Sequence, residues 1–173
     1  QAFPDGVLSL ELRDQRLDFE GALPFAVRGW YDLAQDGYQC QAIFDHTALT
    51  PFFGVFGQPG LSGELSGRVS GRGRGFSLRG IDILEADLER VSISRGQRPL
   101  VLADTIKGSY SHRTVNVPTT RVRFARGGGF DVSAEGSLEN DVLFTARGDI
   151  PMAALRTLVQ GMEGASGTIR FSA

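Results

Sequence analysis

Residues 61–75, LSGELSGRVSGRGRG, alternate without a break. The odd positions are Leu61, Gly63, Leu65, Gly67, Val69, Gly71, Gly73 and Gly75, and the even ones are Ser62, Glu64, Ser66, Arg68, Ser70, Arg72 and Arg74. A period of two belongs to an extended chain, with apolar and small groups on one face and polar groups on the other. Glycine is a poor strand former, because it loses more entropy on folding and packs no side chain. A strand that takes so much of it on its apolar face gains something in exchange, either curvature or open space. What the apolar face meets is therefore the functional question.

The rest of the chain repeats this texture. Leu8, Leu10 and Leu12 alternate within Val7–Arg13, and Tyr38, Cys40, Ala42 and Phe44 within Tyr38–Phe44. Further strands are expected at Ala22–Ala34 (with a bulge at Gly29), Ile81–Leu84, Ala86–Ile93, Leu100–Asp104, Thr105–Tyr110, Thr114–Val117, Arg121–Ala125, Phe130–Ala134, Asp141–Arg147 and Thr168–Ser172. Phe76–Leu78 is a further short extended piece. The apolar parity switches near Glu89–Arg90, which marks a bulge or a strand end. Glycine makes up 23 of 173 residues, about twice ordinary usage, and short strands between such turns favour an antiparallel all-β fold. Two short helices interrupt it. One lies within Thr47–Phe56, with Asp45 as its expected cap, and delivers the chain through Gly57–Gly60 into the strand at Leu61. The other is expected at Asp149–Met162, capped by Asp149 with Pro151 in its first turn.

An offset of 104 residues superposes Asp45 on Asp149, Gly57 on Gly161, Gly60 on Gly164, Ser62-Gly63 on Ser166-Gly167 and Leu65 on Ile169. Helix, glycine loop and alternating strand thus occur twice, in 45–69 and 149–173, as in an elongated repeat protein. Residues 1–173 read as a single fragment of such a larger β protein.

Chemistry is sparse. There is no phosphate-binding loop, nucleophile elbow, zinc motif or calcium loop. His46 and His112 lack neighbouring ligands in sequence, and Cys40, the single cysteine, permits neither an intrachain disulfide nor a cysteine zinc site; it reads as a small buried hydrophobe. Asp82, Glu85, Asp87 and Glu89 read as a solvated sheet face rather than a glycosidase pair. Arg68, Arg72, Arg74 and Arg79 resemble a nucleic-acid tract only superficially: the net charge is −2, and the arginines sit on the wet side of a regular strand, where they would guard a sheet edge. No enzyme activity, cofactor, metal or nucleic-acid partner is expected. What remains is an apolar face that long helices do not cover, which calls for a ligand, a neighbouring module or lipid.

Three segments, GLSGELSGRVSG, GIDILEADLERVSI and GDIPMAALRTLVQGMEGASGTIRFSA, resemble the AsmA-like superfamily, and within it the TamB-type proteins of diderm bacteria. The resemblance covers the chain from about Asp45 onward. It implies an all-β fold, an elongated, curled antiparallel sheet of β-taco shape with an apolar concave face and one or two short helices. It also implies the periplasmic portion of an inner-membrane-anchored protein that carries phospholipid between inner and outer membranes and supports outer-membrane protein assembly. The partners implied are phospholipid acyl chains, an outer-membrane barrel of the TamA/BamA type and nascent outer-membrane proteins. On this reading Leu8, Leu10, Leu12, Leu61, Leu65, Val69, Val122, Phe124, Phe130, Val132, Val142 and Phe144 line a groove for acyl chains. The alternatives are a scaffold that pairs outer-membrane β-strands along its sheet edge, and a closed β-sandwich or β-solenoid interaction domain.

Overall fold

The computed structural model describes residues 6–22, 24–55, 58, 60–75, 77, 80–125, 127–152 and 167–172. Twelve strands form one antiparallel, curled sheet. In chain order they are β1 (Val7–Arg13), β2 (Arg16–Ala22), β3 (Ala26–Asp32), β4 (Gly37–Ala48), β5 (Leu61–Arg74), β6 (Ile81–Arg95), β7 (Arg98–Ala103), β8 (Ile106–Ser111), β9 (Thr114–Phe124), β10 (Gly129–Ser137), β11 (Val142–Pro151) and β12 (Thr168–Ser172), with a six-residue helix, α1 (Thr50–Val55), between β4 and β5. Strands follow one another in space as in sequence, except that β7 and β8 share one place, lying end to end between β6 and β9. Among the described residues the sheet does not close on itself, and β1 and β12 are its two edges.

Several expectations are corrected. Between the expected strands at Val7–Arg13 and Ala22–Ala34, Arg16–Ala22 form a further strand, β2, because Leu17 and Phe19 alternate with Asp18 and Glu20. Gly29 lies in regular register between Phe19 and Cys40, with no bulge. The break in phase there is real but has another cause. Trp30 points to the polar face, where the Arg16 guanidinium lies 4.8 Å from its ring centre. Asp45 belongs to β4 and caps nothing; α1 begins at Thr50, so Pro51 sits in the first turn, where its missing N–H costs little. Asp149–Pro151 continue strand β11 instead of opening a helix, and Met152 is helical; residues 153–162 of that expected helix lie outside the described residues, as do Phe76, Leu78 and Arg79. Thr114–Val117 and Arg121–Ala125 are parts of one strand bridged by Pro118. β5 is central, between β4 and β6, so its arginines guard no edge.

The register breaks at nearly the same height on strand after strand. Asp45 and His46 of β4 together oppose Ser66 of β5, with His46 at φ 48°. Glu89 is the extra residue of β6 against Ser66–Gly67, so the parity switch seen in sequence is a bulge within one strand. β7 gives way to β8 at Asp104–Thr105, and Pro118–Thr119 of β9 oppose Ser133 of β10. A bulge bends its strand and increases the local twist. The three bulges and the β7–β8 handover fall in one line between β4 and β10, a crease that divides the sheet into two walls.

Two strand junctions share one hydrogen-bond pattern. The Leu49 amide donates to the Gly63 carbonyl at 2.8 Å where β4 hands over to β5, and the Met152 amide donates to the Gly167 carbonyl at 2.9 Å where β11 hands over to β12. Ala48 pairs with Glu64 as Pro151 pairs with Thr168.

Candidate functional site

Cross-strand register assigns every strand residue to a face, since directly paired residues of an antiparallel ladder project to the same side. One row runs Leu10, Phe19, Gly29, Cys40, Gly71, Leu84, Tyr110, Val115, and a second runs Leu8, Gly21, Val27, Ala42, Val69, Ala86, Gly108. A third, beyond the crease, runs Thr47, Leu65, Val91, Ala103, Val122, Phe130, Gly148. Val142 and Phe144 continue the first two through Gly136 and Ala134. All twelve residues named from the alternation lie on this one face. The structure thus brings together side chains from β1, β5, β9, β10 and β11.

Cover over the face is uneven. Beyond the crease, Leu100, Ala103 and Phe124 are buried, and Phe124 stands 6.0 Å from Phe130 between ring centres. The α1 segment lies across the face at Gly63, where an added Cβ would meet Leu49 Cδ1 and Phe53 Cε2, each at 3.3 Å. Phe52 of α1 joins Phe25 and Phe44, with ring centres 6.4 and 4.9 Å from Phe25. On the other wall the face is bare at its two ends, on β1 and β11, where Leu10 is 60% exposed, Leu12 64% and Phe144 57%, while the strands between carry half-buried residues such as Phe19, Val27 and Val115. Between these extremes Leu61, Leu65, Val69, Val122, Phe130 and Val132 are half-buried. Cys40, expected to be buried, is likewise half-buried, because its neighbour Gly71 leaves space beside it: a Cβ there would stand 3.4 Å from Leu84 Cδ1 and 3.9 Å from Cys40 Sγ.

The opposite face is a lattice of charges. Arg16 pairs with Asp18 at 3.0 Å, Lys107 with Asp87 at 3.5 Å, Arg121 with Asp131 at 2.8 Å and Arg170 with Asp149 at 3.2 Å, while Arg123 pairs with Asp104. Such exposed pairs contribute little stability each, but they keep this face wet. It is dished over part of its area, whereas the resemblance implies a concave apolar side. A recess of about 880 Å³ lies over β1–β6, lined among others by Asp18, Glu20, Arg28, Trp30, Gln41 and Arg68. On the apolar face, in the row that Leu12 and Leu17 open, Tyr31 donates to the Asp36 carboxylate, which raises its pKa above the usual value; burial raises that of its cross-strand neighbour Tyr38.

Sequence reasoning missed Leu49 and Phe53, whose packing against the face depends on how the chain re-enters at Gly63. It also missed Arg95 and Arg98, which flank the Gly96–Gln97 turn as a direct cross-strand pair. A two-residue turn between alternating segments was the available signal. Among the described residues no cluster of His, Cys, Asp and Glu is placed to hold a metal ion, and no helix is long and apolar enough to cross a membrane. No family model matches the chain, and neither does any curated protein or solved structure.

Proposed function

We propose that this chain forms part of the wall of a lipid conduit, in which the apolar face shields phospholipid acyl chains from water. The observation that carries the reading is the co-facial set of twelve apolar residues on an open sheet, bare on β1 and β11 and lined in part by glycine instead of bulk. Each methylene removed from water contributes about 0.8 kcal/mol, and the attraction is non-directional. An acyl chain can therefore slide from row to row without a large barrier, while its head group stays at the wet margin. The role is non-enzymatic. In keeping with the TamB-type resemblance, we place it in the periplasm, in a protein anchored in the inner membrane, that carries phospholipid toward an outer-membrane barrel of the TamA/BamA type and supports outer-membrane protein assembly.

Native mass spectrometry of detergent-free protein tests this. Wild type is expected to retain phospholipid, and Leu65→Asp or Val69→Asp to lose most of it while melting cooperatively. Equal lipid retention in the charged variants would contradict the conduit.

A second reading has an observation of its own. β1 is an edge strand whose seven residues are all exposed, and such an edge offers unpaired backbone groups to a nascent outer-membrane strand. It predicts that proline at Ser9 or Leu10 abolishes capture of unfolded outer-membrane protein, whereas charges at Leu65 or Val69 leave it unchanged.

A further inference from the structure

Arg95 breaks the pattern of the apolar face. Its direct partner across the β5–β6 ladder is Leu61, and its own strand places Val91 and Ile93 on the same side. Its other direct partner, across the β6–β7 hairpin, is Arg98. Two arginines therefore stand side by side at the margin of the apolar face, two residues along from Gly63, where Leu49 and Phe53 lie. Like charges directly opposite one another on a sheet destabilise it. The Nε of Arg95 is sealed from solvent and has no hydrogen-bond partner. Among the described residues no carboxylate pairs with either guanidinium: Asp104 is taken by Arg123 and Glu64 by His46. A buried donor left unmet carries a desolvation penalty, and an adjacent like charge adds to it. One anion seated between the two forks relieves the like-charge repulsion, a geometry that guanidinium groups match closely in phosphate.

We propose that Arg95 and Arg98 form a subsite for the phosphate of a phospholipid head group, at the margin where an acyl chain on the Leu61–Ile93 face would end. This rests on the conduit reading and adds a substrate preference to it: phosphate-bearing lipid over uncharged lipid of the same tails. The lipid phosphodiester bears one negative charge, so the pair and its ligand together keep a positive balance that draws anionic lipid toward the margin.

The test uses the intact chain, without detergent, loaded separately from phosphatidylglycerol and from diacylglycerol of matched tails and weighed by native mass spectrometry. Wild type is expected to take up phosphatidylglycerol roughly tenfold better, the gain ordinary for a charge-assisted pair of hydrogen bonds. Arg95→Gln and Arg98→Gln should each remove most of that preference and leave diacylglycerol uptake unchanged, while Arg95→Lys keeps part of it. Arg98 is exposed, so Arg98→Gln folds even if the Arg95 change does not. In wild type, raising the salt should erode the preference and spare diacylglycerol uptake. Equal uptake of both lipids by wild type, or a preference that survives both substitutions, overturns the subsite and leaves the conduit standing. Complete displacement of phosphatidylglycerol by millimolar inorganic phosphate overturns it too, because the site would then take a free anion. Uptake of neither lipid overturns the conduit and the subsite together.

Discussion

Single residues show most clearly where space on the apolar face is structural and where it is spare. Gly67 has a φ of 138°, a conformation closed to side chains, and a Cβ there would stand 2.6 Å from Leu88 Cα. Gly67→Ala is expected to destabilise the protein by about 1–3 kcal/mol, read as a fall in the urea midpoint at unchanged slope. Gly108 lies on the same face, yet its added Cβ would meet only Val117 Cγ2, at 3.5 Å. Gly108→Ala is therefore expected to be neutral or to stabilise by about 0.5 kcal/mol. The alternation marks Gly67 as a small residue of its strand's apolar face, and register adds Gly108. Neither pattern tells the two apart, because the difference lies in how closely the neighbouring strand approaches. The ionisation of Tyr31 is a second test at this scale. Its donated bond to Asp36 holds the proton more tightly in the folded chain, so the linked stability is complete below the ordinary phenol pKa and is lost as pH rises through the raised one. In Asp36→Ala the phenolate absorbance should begin to rise at lower pH. An unchanged titration curve would show that Asp36 does not hold the proton.

Elements were legible in proportion to how local their causes are. β1 and β12 have the bounds that the alternation of Leu8–Leu12 and of Thr168–Ser172 predicts. The bulge of β6 was readable at Glu89–Arg90, since an extra residue must switch apolar parity. The other steps of the crease were not. Asp45–His46 and Pro118–Thr119 look like loop or strand-end residues, and only pairing with Ser66 and Ser133 makes them bulges. The helix was placed correctly but its cap was not, because Asp45 serves the bulge and the strand runs on to Ala48. α1 is too short to be stable alone, so its docking rests on contacts such as Phe25, Phe44 and Phe52. Phe52→Ala is expected to cost about 2 kcal/mol, less than the roughly 3–5 kcal/mol of a fully buried ring, because Phe52 is half-buried. The loss should appear in thermal melts. No change in stability would mean that α1 rides on the face without fastening it.

At the scale of the whole molecule, an open twelve-stranded sheet with free edges at β1 and β12 differs from a closed barrel or sandwich in what it leaves bare. The crease sets a wall that holds the buried Leu100, Ala103 and Phe124 against one whose end strands leave Leu8, Leu10, Leu12, Val142 and Phe144 exposed. The sequence carried the apolar face itself, residue by residue, because parity is local. It did not carry the uneven cover, or the recess on the polar side, because both depend on how distant strands curl together. The central claim, that the apolar face is the lipid-bearing one, is tested most directly by phospholipid with a photoreactive group at the acyl terminus. The lipid is loaded into the wild-type chain and irradiated, and the modified residues are mapped by mass spectrometry. The account predicts adducts on Leu61, Leu65, Val69, Phe130, Val132 and their row neighbours, with almost none on the Arg28, Gln41 and Arg68 side. Adducts concentrated in the polar recess, or spread evenly over both faces, would contradict it.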